Sequence, residues 1–184
     1  MTNIIYLKTV QSGALRTLVE VLKDVLQEIN LVFDESGIKV MSMDGSKVAL
    51  IHLKLEADKF NEYECNKKFN AGLSVLSLYK LVKTINNSDI VSLFVKESNN
   101  NELCIKIENS DRNSSTTFKL KLLDIDNKEI HVPDVAINCI VTMPSNDFQR
   151  MCRDMSNISD IVEISCKNET LTFKCQGDFA SQET

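Results

Sequence analysis

Histidine, glycine and proline are scarce in this chain of 184 residues, and long apolar runs are missing altogether. The only histidines, His52 and His131, stand beside no Ser or Cys in a nucleophile pattern, so triad-type catalysis has no support. The five glycines are not clustered, which excludes a glycine-rich phosphate loop. No uncharged apolar run approaches the ~20 residues of a membrane helix. Met1-Thr2-Asn3-Ile4-Ile5-Tyr6-Leu7-Lys8 lacks the basic flank and apolar core of a signal peptide. None of the six cysteines forms a CxxC pair, so a zinc or thioredoxin-like reading falls away. Asp124-x-Asp126 opens like a calcium loop, but no Gly or closing Glu follows, and no metal or cofactor is expected. A positive excess is absent too. With 21 Lys and Arg against 26 Asp and Glu, the net charge of −5 disfavours a globally basic nucleic-acid binder and leaves only a local basic face open. No enzyme is read from these residues.

What is present is an ordinary globular mix, 43% hydrophobic and 26% charged, which excludes a disordered tail. Each cysteine has apolar neighbours and reads as a reduced thiol packed as a small hydrophobe. The sequons at Asn86, Asn113, Asn157 and Asn168 read as chance matches in an Asn-rich chain, and an intracellular, reducing location is expected.

Three stretches carry helical periodicity. Over 12–29, Leu15, Leu18, Val19, Leu22, Leu26 and Ile29 form one stripe, with Arg16, Glu20, Lys23 and Gln27 opposite. Near 74–85, Leu78, Leu81, Val82 and Ile85 are inward, Lys80 and Lys83 outward, and Asn86-Asn87 ends the helix. After Pro144, Ser145 or Asn146 is placed to cap a helix whose stripe is Phe148, Met151, Cys152 and Met155, with Arg150 and Arg153 outside. Elsewhere the period is two: 38–42, 48–55, 90–95, 103–107 and 118–122 read as strands. Asp34-Glu35-Ser36-Gly37, Asp44-Gly45 and Ser98-Asn99-Asn100-Asn101 supply turns. Antiparallel strands with helices covering one face make an α+β domain.

A weak repeat runs through the chain. Helix, strand, turn and strand recur, with Arg16 matching Arg150 and Ile38 matching Leu171 at offsets of 134 and 133. The reading divides the chain into 1–123, a connecting segment 124–137 and an incomplete second copy, 138–184. The connecting segment is polar but holds Ile130 and Val132, an apolar pair that reads as packing on the sheet or as a docking edge.

Several segments resemble proliferating cell nuclear antigen, the eukaryotic sliding-clamp family. They include Val10-Gln11-Ser12-Gly13, Gly37-Ile38-Lys39-Val40-Met41-Ser42-Met43-Asp44, Leu78-Tyr79-Lys80-Leu81-Val82-Lys83 and Phe118-Lys119-Leu120-Lys121-Leu122-Leu123-Asp124. The most specific is Met143-Pro144-Ser145-Asn146-Asp147-Phe148-Gln149-Arg150-Met151-Cys152-Arg153-Asp154-Met155-Ser156. The resemblance implies a DNA-clamp fold, with duplicated domains and three subunits closing a ring around duplex DNA. It places Arg16, Lys23, Lys80, Lys83, Arg150 and Arg153 on helix faces that touch phosphates without reading sequence. Without it, these six read as a solvated face, since Glu20, Asp24 and Asp154 lie among them.

The resemblance also implies a slot for short client peptides at Met43, Lys47, Val48 and Leu50, with Ile130, Val132 and Pro133 from the connecting segment. Two departures stand out. Asp44-Gly45-Ser46-Lys47 has Gly and Lys where relatives show Ser and His. Ile130-His131-Val132-Pro133 stands where they read Leu-Gly-Ile-Pro. The lysine that relatives modify aligns with Asn168 here. Subunit pairing would use the edge at Thr116, Phe118, Leu120 and Leu122. Implied partners are a DNA polymerase, a clamp loader and peptide-bearing clients, in the nucleus or at a site of viral DNA replication. Because the second copy stops early, the chain alone is not expected to close a ring. A checkpoint-clamp subunit and a non-ring peptide adaptor are the alternative readings.

Overall fold

A computed structural model describes residues 2–109, 111–126, 130 and 139–184. The chain divides into two compact units, Met1–His131 and Val132–Thr184.

In the first unit the order is β1 (Asn3–Thr9), α1 (Ser12–Val25), β2 (Glu28–Asp34), β3 (Gly37–Met43), β4 (Leu50–Glu56), a single turn of 3-10 helix (Ala57–Lys59), β5 (Glu62–Cys65) and β6 (Phe69–Ser74). Then follow α2 (Val75–Val82), β7 (Ile90–Lys96), β8 (Asn99–Asn109) and β9 (Ser114–Lys121). Two antiparallel sheets result, ordered β5-β1-β7-β8-β9 and β4-β3-β2-β6. One core joins them to both helices. Val19 and Leu22 of α1 and Val75, Leu78 and Val82 of α2 cluster with Phe33, Val40 and Leu73 of one sheet and Leu7, Val95 and Ile105 of the other.

The helices are shorter than their stripes. After Val25, Leu26 turns extended while its N–H still bonds Leu22 O, so Ile29 belongs to β2 and not to the helical face. Its burial satisfies either period, which is why the pattern ran on. Likewise α2 stops at Val82, and Ile85 is buried beyond it. Ser74 caps α2, its hydroxyl accepting from Ser77 N–H at 3.3 Å. The expected turn at 98–101 is displaced. Lys96 pairs with Asn99, so Glu97-Ser98 alone make the turn and the asparagines open β8. The strand expected from Val48 begins at Leu50.

Gly37 sits at φ +132°, and a Cβ there would lie 2.0 Å from Leu55 O. Only glycine fits both demands. Nearby, the Tyr63 hydroxyl is 2.7 Å from both the Asp34 and the Gly37 carbonyl oxygens, and its one proton ties β5 to the β2–β3 turn.

The second unit holds α3 (Ser145–Ser156) and a three-stranded sheet, β10 (Val162–Lys167), β11 (Thr170–Gln176) and β12 (Ser181–Glu183). Its core is small: Met155, Phe173 and Cys175, with Met143, Met151, Ile158 and Leu171 against them. From the expected stripe of α3, Met155 is buried, but Phe148 is 43% exposed and Cys152 faces solvent, because a three-stranded sheet covers only part of the helix. Neither Ser145 nor Asn146 caps it. Pro144 is the capping residue, and its carbonyl accepts from Asp147 and Phe148 N–H.

The repeat has a structural counterpart. Asp34 pairs with Gly37 across a two-residue turn, and Lys167 with Thr170 across another, 133 residues on. In each unit a helix precedes that hairpin and a third strand pairs with its second member.

Candidate nucleic-acid interface and docking groove

Helices α1 and α2 lie antiparallel. The Ser12 hydroxyl donates to Asn86 O at 2.9 Å, Arg16 Nη1 donates to Ile85 O at 2.6 Å, and the Tyr79 hydroxyl donates to Glu20 at 3.3 Å. The start of α1 thus meets the end of α2, and this order gathers Arg16, Lys23, Lys80 and Lys83 along one helix pair. Their roles differ. Arg16 is half-buried and spends its guanidinium on the Ile85 carbonyl, just past the end of α2. Lys23 sits 5.0 Å from the Tyr79 ring centroid and bonds Asp24, a contact that pushes its ammonium pKa up and keeps it charged. Lys80 and Lys83 are exposed and make no ion pair among the described residues.

In the second unit, Arg150 and Arg153 are three residues apart on the exposed side of α3, one turn of one face. Arg150 reaches Asp147 at 3.7 Å, a surface pair worth little.

A groove of about 750 Å³ crosses the outer face of the β2–β3–β4 sheet. Pairing register explains its floor. Ile38 and Val40 point to the core, so Met41 and Met43 point out, opposite His52 and Leu50 of β4. Val32 and Asn30 of β2 extend the same floor, and Ile125 and Ile130 of the connecting segment line the other side. Gly72 permits that approach. Leu123 N–H donates to Gly72 O at 2.8 Å, and a Cβ on Gly72 would lie 2.2 Å from Leu123 O. Asn30 Nδ2 then donates to Ile125 O at 3.3 Å.

Asp44 shapes the groove's end. Its carboxylate accepts from Val48 N–H at 2.8 Å, Ala49 N–H at 2.7 Å, and both the N–H and the hydroxyl of Ser46. These bonds, the Ser46 hydroxyl foremost, lower its pKa from 3.8 to about 2. The loop so formed holds Lys47 at φ +58° and leaves Val48 85% exposed.

The structure therefore brings together Met43, Lys47 and Ile130, with Leu50 as the cross-strand neighbour of Met43; Val48 stands clear of the lining. Val132 and Pro133 lie outside the described residues. Sequence reading missed Val32, Met41, His52, Ile125 and Gly72. Strand alternation could have found the first three. Ile125 was passed over as a polar-segment residue.

At the sheet edge, β9 pairs only with β8 among the described residues. Phe118 and Leu120, with Leu122 just beyond, pack on the core, while Thr116, Lys119 and Lys121 are exposed. The edge presents backbone and lysines rather than apolar side chains. The cysteines also divide. Cys104 and Cys175 are buried as expected, but Cys139, Cys152 and Cys166 are exposed, since the second unit has too small a core to cover them.

Residues 4–129 match the family model for the proliferating cell nuclear antigen N-terminal domain, and residues 131–184 that for its C-terminal domain. A relative from Paramecium bursaria Chlorella virus 1, described as "Probable DNA polymerase sliding clamp 1", is 37% identical over 183 residues. The alignment covers 97% of this chain and 70% of that relative.

Proposed function

The chain belongs to the proliferating cell nuclear antigen family, the sliding clamps, and from that premise we propose that it encircles duplex DNA as one subunit of a ring and docks replication proteins in its groove. The observation that carries this reading is the antiparallel α1–α2 pair with Arg16, Lys23, Lys80 and Lys83 gathered on it. Two of these four are tied to protein groups and two are free to meet phosphates. Loose, salt-sensitive contact of that kind lets a ring slide, whereas base contacts would hold it at one sequence. Arg150 and Arg153 add the same chemistry on α3.

Ring closure would use the exposed backbone edge of β9, paired with a strand of the next subunit, and three copies of this chain alone are not expected to complete it. The groove suits a peptide with one aliphatic and two aromatic anchors, laid over Met41, Met43 and Val32 beneath Ile125 and Ile130. A DNA polymerase and a clamp loader are the partners this role requires, and it requires no catalytic step from the chain itself. The setting is the nucleus or a site of viral DNA replication.

The test is retention on closed circular DNA after loading, compared with the same DNA linearised. Once a ring is closed, wild type should stay on the circle and run off the linear form. Lys80→Glu with Arg153→Glu should lose retention at physiological salt and still bind a labelled client-motif peptide. Retention equal to wild type would overturn the assignment of these faces. Peptide binding by the unaltered protein without retention on the circle would favour a non-ring adaptor. Light scattering at several concentrations reads ring closure directly: a stable species of three times the chain mass would overturn the expectation that this chain alone leaves the ring open.

A further inference from the structure

Basic and acidic side chains divide the docking groove between its two flanks. Glu28 of β2 and Asp126 of the connecting segment lie on one flank, and Lys47 and His52 of the β3–β4 hairpin on the other. His52 and Glu28 stand two strand spacings apart, about 10 Å, close to a Debye length at 0.1 M salt, so the flanks do not neutralise each other. The remaining charges on the hairpin side already have partners. Lys39 and Lys54 are directly opposite across the ladder, an unfavourable pairing that Asp34, 2.7 Å from Lys39, and Glu56, 3.3 Å from Lys54, offset. The Asp44 carboxylate is taken by Ser46, Val48 and Ala49. Lys47 and His52 are exposed, and neither side chain has a carboxylate partner among the described residues.

We propose that the groove selects client peptides whose apolar anchors are flanked by acidic residues, which Lys47 and His52 receive. The inference rests on the reading of this groove as a client-docking site. Its occupant must match both parts of the surface. Along the hairpin, Lys47 lies beyond the Met43–Leu50 pair and His52 sits opposite Met41, so the two basic groups bracket an apolar patch. A bare polyanion, such as a nucleic-acid strand, leaves that patch uncovered. A peptide with apolar and acidic side chains covers the patch and meets both groups. The Lys47 ammonium supplies a point charge, and the His52 imidazole has an N–H to donate in either tautomer. The loop that Asp44 ties fixes the Lys47 backbone at φ +58° before any peptide arrives, which lowers the ordering cost of binding.

Both groups are exposed, so their effect is modest and salt-dependent. Two surface contacts of this kind change affinity about three- to tenfold at low salt. Much of that gain lies in the rate of encounter. The division of charge also penalises the wrong orientation. An acidic flank turned toward Glu28 and Asp126 meets like charge, so the same peptide laid in reverse is disfavoured.

The test uses the full chain and labelled peptides read by anisotropy. The peptides share one aliphatic and two aromatic anchors and differ only in their flanks, which carry aspartate, asparagine or lysine. At low salt the aspartate peptide should bind wild type about three- to tenfold more tightly than the asparagine peptide, and the ratio should shrink as salt rises. The ratio is the readout, so a general loss of binding in a variant cancels. Lys47→Gln with His52→Gln should bring it close to one. Lys119→Gln, which removes an exposed lysine from the other sheet, should leave it as in wild type. Equal binding of the aspartate and asparagine peptides, tightest binding of the lysine peptide, or an unchanged ratio in the double variant would overturn the selection and leave docking intact. Failure of all three peptides to bind would overturn the docking reading and the inference with it. Displacement of the aspartate peptide by a short single-stranded oligonucleotide as readily as by unlabelled peptide would assign the basic groups to nucleic acid instead and overturn the inference.

Discussion

Lys80 and Lys83 are the two cations of the α1–α2 pair without a protein partner among the described residues, so replacing both by alanine tests the DNA-facing reading at its most direct point. The fold should tolerate this. Lys80 is exposed in α2 and Lys83 is its C-cap, and each loss should stay below about 1 kcal/mol, the helix-dipole contribution of an exposed cation. On DNA the change should be larger and of a different kind. Each phosphate contact contributes ~0.9 to the slope of log affinity against log salt, so two lost contacts lower the slope by about 1.8 per subunit. Over a fourfold rise in salt, the variant's affinity should then fall about 12-fold less than that of the wild type for each subunit in contact with the duplex. Anisotropy titrations of a labelled duplex at four salt concentrations read this directly. An unchanged slope would refute the reasoning whatever the absolute affinity. Arg16→Ala supplies the contrast. Its guanidinium is already used by Ile85 O, so its removal should cost about 1.5–3 kcal/mol of stability, the worth of a charged hydrogen bond, with little change in slope. A full slope change with unchanged stability would reverse the division of labour drawn here.

Gly72→Ala puts a Cβ 2.2 Å from Leu123 O, so the connecting segment must move off β6; client-peptide affinity should fall several-fold, and unaltered affinity would detach the groove from that segment. Tyr63→Phe removes the hydroxyl shared by the Asp34 and Gly37 carbonyls and should cost about 1–2 kcal/mol in urea unfolding; no loss would mean that water replaces it. Asp44 has a folded pKa of about 2 against an ordinary 3.8, so its hold on the loop is complete above the higher value and is lost as pH falls through the lower. The Val48 and Ala49 amide resonances should therefore stay fixed from neutral pH down to about 4 and then shift with a midpoint near 2. A midpoint near 4 would show that the carboxylate is free.

Local periodicity made the helices and most strands legible, and it failed where two periods agree. Ile29 is inward on either a helix or a strand, so only the extended turn at Leu26 separates α1 from β2. The asparagines at 99–101 carry turn chemistry but lie in β8, because Asn99 pairs with Lys96 of β7, Asn101 O accepts from Leu122 N–H, and Glu97-Ser98 suffice to reverse the chain. The candidate cations were legible as outward positions, but their employment was not. That Arg16 bonds a carbonyl 69 residues away is a tertiary fact with no local trace. Gly72 was hidden for the same reason, since its need for a bare α-carbon comes from Leu123, far along the chain. The cysteines misled because apolar sequence neighbours predict burial only where enough sheet exists to bury them.

The two candidate sites share one sheet and use opposite sides of it. The inner residues of β2 and β3, Ile29, Leu31, Ile38 and Val40, pack against the stripes of α1 and α2, whose outer faces carry the cations. The outer residues, Val32, Met41 and Met43, floor the groove. A full layer of core therefore separates a phosphate near Lys80 from a peptide over Met41, and no residue belongs to both sites. Under the proposed role this separation lets partners exchange while the ring stays on DNA. It also has a measurable form. Lys80→Ala and Met41→Ala share no partner, so their effects on DNA retention and on peptide affinity should add within about 0.3–0.5 kcal/mol in a double-mutant cycle. Coupling well above that, in either readout, would mean that the sheet transmits strain between its faces and that docking and sliding are not independent.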